Sequence, residues 1–342
     1  MPEFIYNYYM NESFPNTPEQ KVENCISQEE FDRQFTKDNL LLLEKGEVTY
    51  TKVTPEVIKY DEPVLYIGGF SQGKETYRGE LQDLVESGRE VIFTNPIKGV
   101  DVTESDEYNL LKEQYNLPDI ILAKVSAAEE ILLAEGVEQA ELVGHSQGGI
   151  ITTVLTAKNP ERVDNLVLNS PAGFVTGKSR TWLALRFGHQ LISNLFRKKD
   201  EYLKSNIKRA GQSFGSEAIN RDNMESIFAT IFWRWKVEVP GISNVDLLPI
   251  LKSIQDHNDA HPDESTSVSM VMANEDKLYP PEMYQEQLGE DYDDFVNSFM
   301  SYRDEEASHT AAGIEAHGLL RQILNKEFTF DREEFEKTFG SE

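Results

Sequence analysis

The 342-residue sequence holds a single cysteine, Cys25. No internal disulfide can form, so the fold must rest on a packed core rather than on covalent staples. Basic residues are scarce against acidic ones. There are 33 Lys and Arg facing 60 Asp and Glu, for a formal net charge of −27. That balance favours solubility and opposes binding to nucleic acid or an anionic membrane through overall charge. No apolar run approaches the ~18 residues that a membrane-spanning helix needs. The opening MPEFIYNYYMNE has neither a basic nor an apolar segment, so no secretory signal is expected and a soluble, cytoplasmic protein is the default. Internal repeats and low-complexity tracts are also missing.

Hydrophobic residues make up 39% and aromatics 10%, which argues for a folded chain with a sizeable core. Residues 1–38 are polar and tyrosine-rich and read as an irregular N-terminal extension. LLLLEKGEVTYTKV then alternates like a β-hairpin. PVLYIGGF (63–70) is a short, nearly continuous apolar run that ends at glycines, as a buried strand of a parallel sheet does. From there strand and helix take turns. ETYRGELQDLVESG is a helix closed by Gly88, EVIFTNPIKG a strand, LPDIILAKVSAAEEILLAEG a helix closed by Gly136, AELVGHS a strand, GGIITTVLTAKN a helix and NLVLNSPAG a strand. Such βαβ units predict an α/β fold with a mostly parallel sheet and helices on both faces.

The rhythm breaks after Gly173. Residues 175–262 are helical in pattern, whereas STSVSMVMANED (265–276), FVNSFMSYRDEEASH and GIEAHGLLRQILNKEF restore two strands and a last helix. The expected organisation is therefore a core over 39–174 and 263–342, interrupted by a helical cap over 175–262.

Gly144-His145-Ser146-Gln147-Gly148 fits G-x-S-x-G between a strand and a helix. The turn holds a strained serine hydroxyl at the carboxyl end of the sheet, and the helix start behind it supplies N–H donors for an anionic intermediate. His145, adjacent on a sharp turn, is read as a packing residue. A nucleophilic serine needs a base, and His309 in EEASHTAAG follows the last strand at the same edge, with His317 in reserve. The base needs a carboxylate to hold its tautomer. Asp276 stands just past the strand VSMVMA, with Glu275 as its competitor. Gln147 N–H and the Phe70 N–H of the Gly68-Gly69 turn are the candidate oxyanion donors.

Together these residues resemble the α/β-hydrolase superfamily over 45–174 and 265–330, with GHSQGG the most specific element. Gly68 stands where that superfamily often has histidine, Ala273 where it usually has glycine, and SHTAAG lacks its Gly-His pair. The resemblance implies helical caps at the position of the 175–262 insertion. It also implies acyl transfer on serine rather than the aspartate-nucleophile chemistry of epoxide hydrolases and dehalogenases. Such chemistry needs no metal or organic cofactor.

Within the insertion, residues 178–209 carry nine Lys or Arg against two acidic residues, with apolar side chains between them. The expected reading is a cap helix. Contact with an anionic lipid interface is the sharper alternative. Ile227, Phe228, Ile231, Phe232, Trp233 and Trp235 lie at helical spacing and read as packing or as an apolar substrate pocket, to which Gly69 would also contribute. The expected function is a serine hydrolase cleaving a neutral or apolar carboxylic ester through Ser146. An acyltransferase, thioesterase or amidase with the same triad, or a non-catalytic ligand binder, is the alternative.

Overall fold

The computed structural model describes residues 38–43, 46–70, 72–95, 105–174, 238–273, 278–288, 298–302 and 319–326, together with Arg33, Ile97, Arg186 and Asp276. Its strands are β1 (Asp38–Leu43), β2 (Gly46–Val53), β3 (Val64–Ile67), β4 (Val91–Thr94), β5 (Ala140–His145), β6 (Val163–Asn169), β7 (Ser267–Ala273) and β8 (Ser298–Tyr302). They form one sheet in the order β1-β2-β4-β3-β5-β6-β7-β8. The hairpin β1-β2 and the pair β2-β4 are antiparallel. From β4 to β8 every neighbouring pair is parallel. The sequence-derived hairpin followed by a parallel sheet is thus present.

The central strands are mostly apolar because both faces of the sheet are covered, with buried polar side chains such as Glu141 and Asn165 near the strand starts. Side chains alternate between the two faces. Leu65, Ile67, Ile92, Leu142, Leu166, Leu168, Met270 and Met272 enter one core cluster. Val64, Tyr66, Val91, Phe93, Val143, Val167 and Val271 enter the other. Each such burial contributes about 1.5–3 kcal/mol relative to exposure.

The helices are α1 (Arg78–Ser87), α2 (Asp106–Tyr115), α3 (Asp119–Ala134), α4 (Gln147–Lys158), α5 (Val239–Ser243), α6 (Leu248–Ala260), α7 (Pro281–Leu288) and α8 (Leu319–Leu324). Helices α3, α4 and α6 give Val125, Ile131, Ile150, Val154, Leu251 and Ile254 to the first face. Helices α1 and α8 give Leu81, Leu84, Leu320 and Ile323 to the second. Helix α2 is an element the periodicity did not announce. Its signal is the start: Ser105 Oγ accepts the Tyr108 N–H at 3.2 Å, and Asp106 and Glu107 occupy the first turn. No helix among the described residues is long and apolar enough to cross a membrane.

At the amino edge of the sheet one buried cation gathers several elements. Arg89 donates from Nε to Glu141 Oε2 at 2.6 Å and from Nη2 to the Leu324 carbonyl at 2.9 Å, and it also binds Asn325 Oδ1. Asn165 Nδ2 donates to the other Glu141 oxygen at 3.1 Å. Burial pushes the Glu141 carboxyl up, against the opposing pull of Arg89. Removing one member would leave an uncompensated buried charge. Arg89→Ala is therefore expected to lower stability by about 3–5 kcal/mol, read from urea unfolding. A shift under about 1 kcal/mol, the scale of a surface pair, would show that the cluster does not fasten α8 to the sheet.

Candidate active site

All six residues of β5 are buried, and the chain turns sharply where the strand ends. Ser146 sits at φ 52°, ψ −116°, and α4 begins at the next residue. A non-glycine residue in such a conformation costs of the order of 1–3 kcal/mol and persists only where its surroundings over-determine it. The surroundings do so. Ser146 N–H donates to the Asn169 carbonyl, and the Ser146 carbonyl accepts from Gly149 and Ala172 N–H, each at 3.0 Å. Gly148 presses against the end of β3, where a Cβ would lie 2.0 Å from the Ile67 carbonyl oxygen. No other residue fits without moving helix or strand.

The turn after β3 abuts the serine. A Cβ on Gly69 would lie 3.2 Å from Ser146 Cβ and 2.9 Å from His145 Nδ1. The turn is held from behind by a buried polar cluster. Tyr77 Oη accepts the Gly69 N–H at 2.6 Å, donates to Gln72 Oε1, and lies 2.7 Å from His145 Nδ1. His145 Nδ1 is also 3.0 Å from Gln72 Oε1. The cluster is satisfied when that nitrogen carries the ring proton, since an amide oxygen only accepts. Burial pushes the Tyr77 hydroxyl well above the ordinary phenol value, so it stays neutral. His145 is buried as expected, but it is a hydrogen-bonded support of the turn and not only a packing residue. Phe70, the next residue, packs against the core.

Asp276 follows β7 at the same carboxyl edge and is 1% exposed. Its Oδ1 accepts the N–H groups of Leu278 and Tyr279, each at 2.8 Å, which fixes the carboxylate as the chain turns. Burial and then the Asp276 charge push the Tyr279 and Tyr284 hydroxyls up. Tyr284 Oη donates to the Pro171 carbonyl at 2.8 Å, tying α7 to the loop after β6. Ser146 and Asp276 therefore sit at one edge, beyond strands separated by β6 alone.

The remaining sequence-derived candidates, His309, His317, Glu275, Phe232 and Trp233, lie outside the described residues, as does all of the basic segment 178–209 except Arg186. Two buried features escaped the sequence reading. Lys124 Nζ donates to Gln147 Oε1 at 2.9 Å and pairs with Glu238 Oε2 at 3.2 Å. Glu80, 1% exposed, accepts from Tyr66 Oη and, at 3.5 Å, from Asn169 Nδ2. Burial pushes its carboxyl well above the ordinary carboxylate range. The only linear signal for either was a charged residue on an otherwise buried helix face.

Residues 62–198 match a family described as alpha/beta hydrolase fold. No curated protein matches the chain by sequence. Among solved structures, a probable hydrolytic enzyme (PA3053) from Pseudomonas aeruginosa PAO1 is 17% identical at TM-score 0.54, covering 86% of this chain and 94% of that one. The serine hydrolase CCSP0084 from Cycloclasticus zankles is 15% identical at TM-score 0.53, covering 85% and 99%. Carboxylesterase CesB from Bacillus subtilis is 12% identical at TM-score 0.50, covering 87% and 94%. Sheet order, strand-turn-helix at Ser146 and the family match together make this an α/β-hydrolase-fold protein.

Two outcomes test the supports of the site. Tyr77→Phe leaves the buried Gly69 N–H without its acceptor, at a cost of about 1–3 kcal/mol. Amide exchange at Gly69 should quicken, and an unchanged exchange rate would place the support of the turn elsewhere. Glu80 has its folded pKa above its unfolded value. Its stabilising effect is therefore complete below the ordinary carboxylate range and is lost as pH rises through the folded value. Glu80→Gln should flatten that decline in urea midpoint, and parallel pH profiles for the two proteins would contradict the assignment.

Proposed function

We propose that the chain is a serine hydrolase that cleaves carboxylic esters through an acyl-enzyme on Ser146. The observation that carries this reading is the serine itself, held in a strained turn between a buried strand and a helix start, with the Gly68-Gly69 turn against it. In the proposed cycle Ser146 Oγ attacks the ester carbonyl carbon while His309 takes its proton. The oxyanion is met by the N–H groups of Gln147 and Phe70. Gly69 N–H already serves Tyr77 and is not the donor from that turn. His309 then protonates the departing alcohol. It next takes a proton from water, whose oxygen attacks the acyl carbon, and returns that proton to Ser146 as the acid leaves. Asp276 holds the imidazole and stabilises its charged form.

The structural neighbours named as a serine hydrolase and a carboxylesterase support this class. A neutral or apolar acyl substrate of short or medium length fits the acidic net charge, since an anionic substrate would be repelled. A fluorophosphonate probe should label the wild type and leave Ser146→Ala unlabelled. With p-nitrophenyl esters, His309→Ala and Asp276→Asn should each lose about 10³-fold or more in kcat. Absence of both labelling and turnover would favour a ligand-binding protein on this fold. Loss of activity in His317→Ala but not in His309→Ala would move the base to His317.

A further inference from the structure

A small cavity beside the turn after β3 is walled by Gly69, Thr94, Asn95, Lys124, Gln147 and Glu238, among others. The Gln147 side chain decides its chemistry. Lys124 Nζ is a donor only, and it faces Gln147 Oε1 at 2.9 Å. The opposite amide orientation would set an NH₂ group against an ammonium, so Lys124 fixes which end of Gln147 is oxygen. Gln147 Nε2 is left buried with no hydrogen-bond partner, on a residue only 2% exposed. Buried amide donors are seldom left unpaired, and this one belongs to a residue of the cavity wall, one position past Ser146.

The charge of the cavity narrows the acceptor that Gln147 Nε2 would take. Lys124 is paired with Glu238 Oε2 at 3.2 Å, so the two cancel. An anionic group would meet the Glu238 carboxylate in the same wall, a repulsion that an uncharged oxygen does not incur. The cavity also adjoins the reaction centre. Gln147 directly follows Ser146, and a Cβ on Gly69 would be 3.2 Å from Ser146 Cβ.

We propose that this cavity is a substrate subsite for an acyl group bearing an uncharged oxygen close to its carbonyl (an ether, ketone or hydroxyl), which accepts a hydrogen bond from Gln147 Nε2. Gln147 thus determines specificity through its side chain, and Lys124 is the positioning residue that orients it. The inference rests on the ester-hydrolase reading and deepens it.

The test compares two isosteric esters, p-nitrophenyl methoxyacetate and p-nitrophenyl butanoate, in wild type, Gln147→Met and Gln147→Glu. Both substitutions remove the donor and keep the backbone N–H, and Gln147→Glu is isosteric with the native side chain. Intrinsic reactivity cancels when the preference ratio in kcat/KM is compared between proteins. The ratio should fall by roughly tenfold in both variants, the effect of losing one good hydrogen bond. In Lys124→Met, where the amide is free to turn over, it should fall by a smaller factor while thermal unfolding remains cooperative. Equal losses for both esters, with an unchanged ratio, would mean that the cavity holds only solvent and would overturn the proposal. Should the wild type turn over neither ester, the hydrolase reading fails instead. The subsite is then read by chemical-shift titration of Ser146→Ala with N-butyl methoxyacetamide and N-butyl butanamide. Preferential binding of the former upholds the subsite, and equal binding refutes it.

Discussion

The contact of Gly148 with the last carbonyl of β3 governs the geometry of the whole carboxyl edge. Helix α4 reaches the sheet so closely there that a single methyl group would collide with the Ile67 oxygen at 2.0 Å. That closeness leaves the chain no relaxed path from β5 into α4. The serine between them sits at φ 52°, anchored by a hydrogen bond to the last carbonyl of β6 and one from the loop that follows it. It also brings the Gly68-Gly69 turn against the serine, where a Cβ on Gly69 would lie 3.2 Å from Ser146 Cβ. Every proposed role at the site presupposes this one packing constraint.

Around that constraint the protein sorts its buried polar groups by edge. At the amino ends of the strands, Arg89, Glu141 and Asn165 form a cluster that joins α8 to the sheet. At the carboxyl ends lie Tyr77 with His145 and Gln72, Lys124 with Glu238 and Gln147, and Glu80 with Tyr66 and Asn169. An apolar sheet interior separates the two sets. Buried polar groups are costly unless each finds a partner, so their concentration at one edge is informative in itself. The carboxyl-edge groups hold the Gly69 turn, contact the Asn169 side chain and orient the side-chain amide of Gln147.

Much of this could be read along the chain because the signals are local. The apolar runs VLYI, VIFT and AELVGH identify doubly covered strands, and glycines 88 and 136 mark helix ends. The elbow announces itself within five residues. What escaped is long-range. Tyr77 meets His145 across 68 positions and Lys124 meets Gln147 across 23, so no window around either residue contains its partner. The acidic residue was chosen by position among 60 carboxylates. Its surroundings, with two backbone N–H groups fixing Oδ1, are legible only in three dimensions. Helix α2 was missed for a different reason. Its apolar stripe is thin, with Tyr108 and Leu111 alone buried, and its start at Ser105 carries most of the signal.

The backbone angles at Ser146 also bear on durability. Glycine would occupy φ 52°, ψ −116° without steric penalty, so the side chain found there is carried against the thermodynamic preference of the turn. A protein shaped for longevity alone would have no hydroxyl at this position. Its presence means that backbone strain of the order of 1–3 kcal/mol is carried at a single residue of the turn.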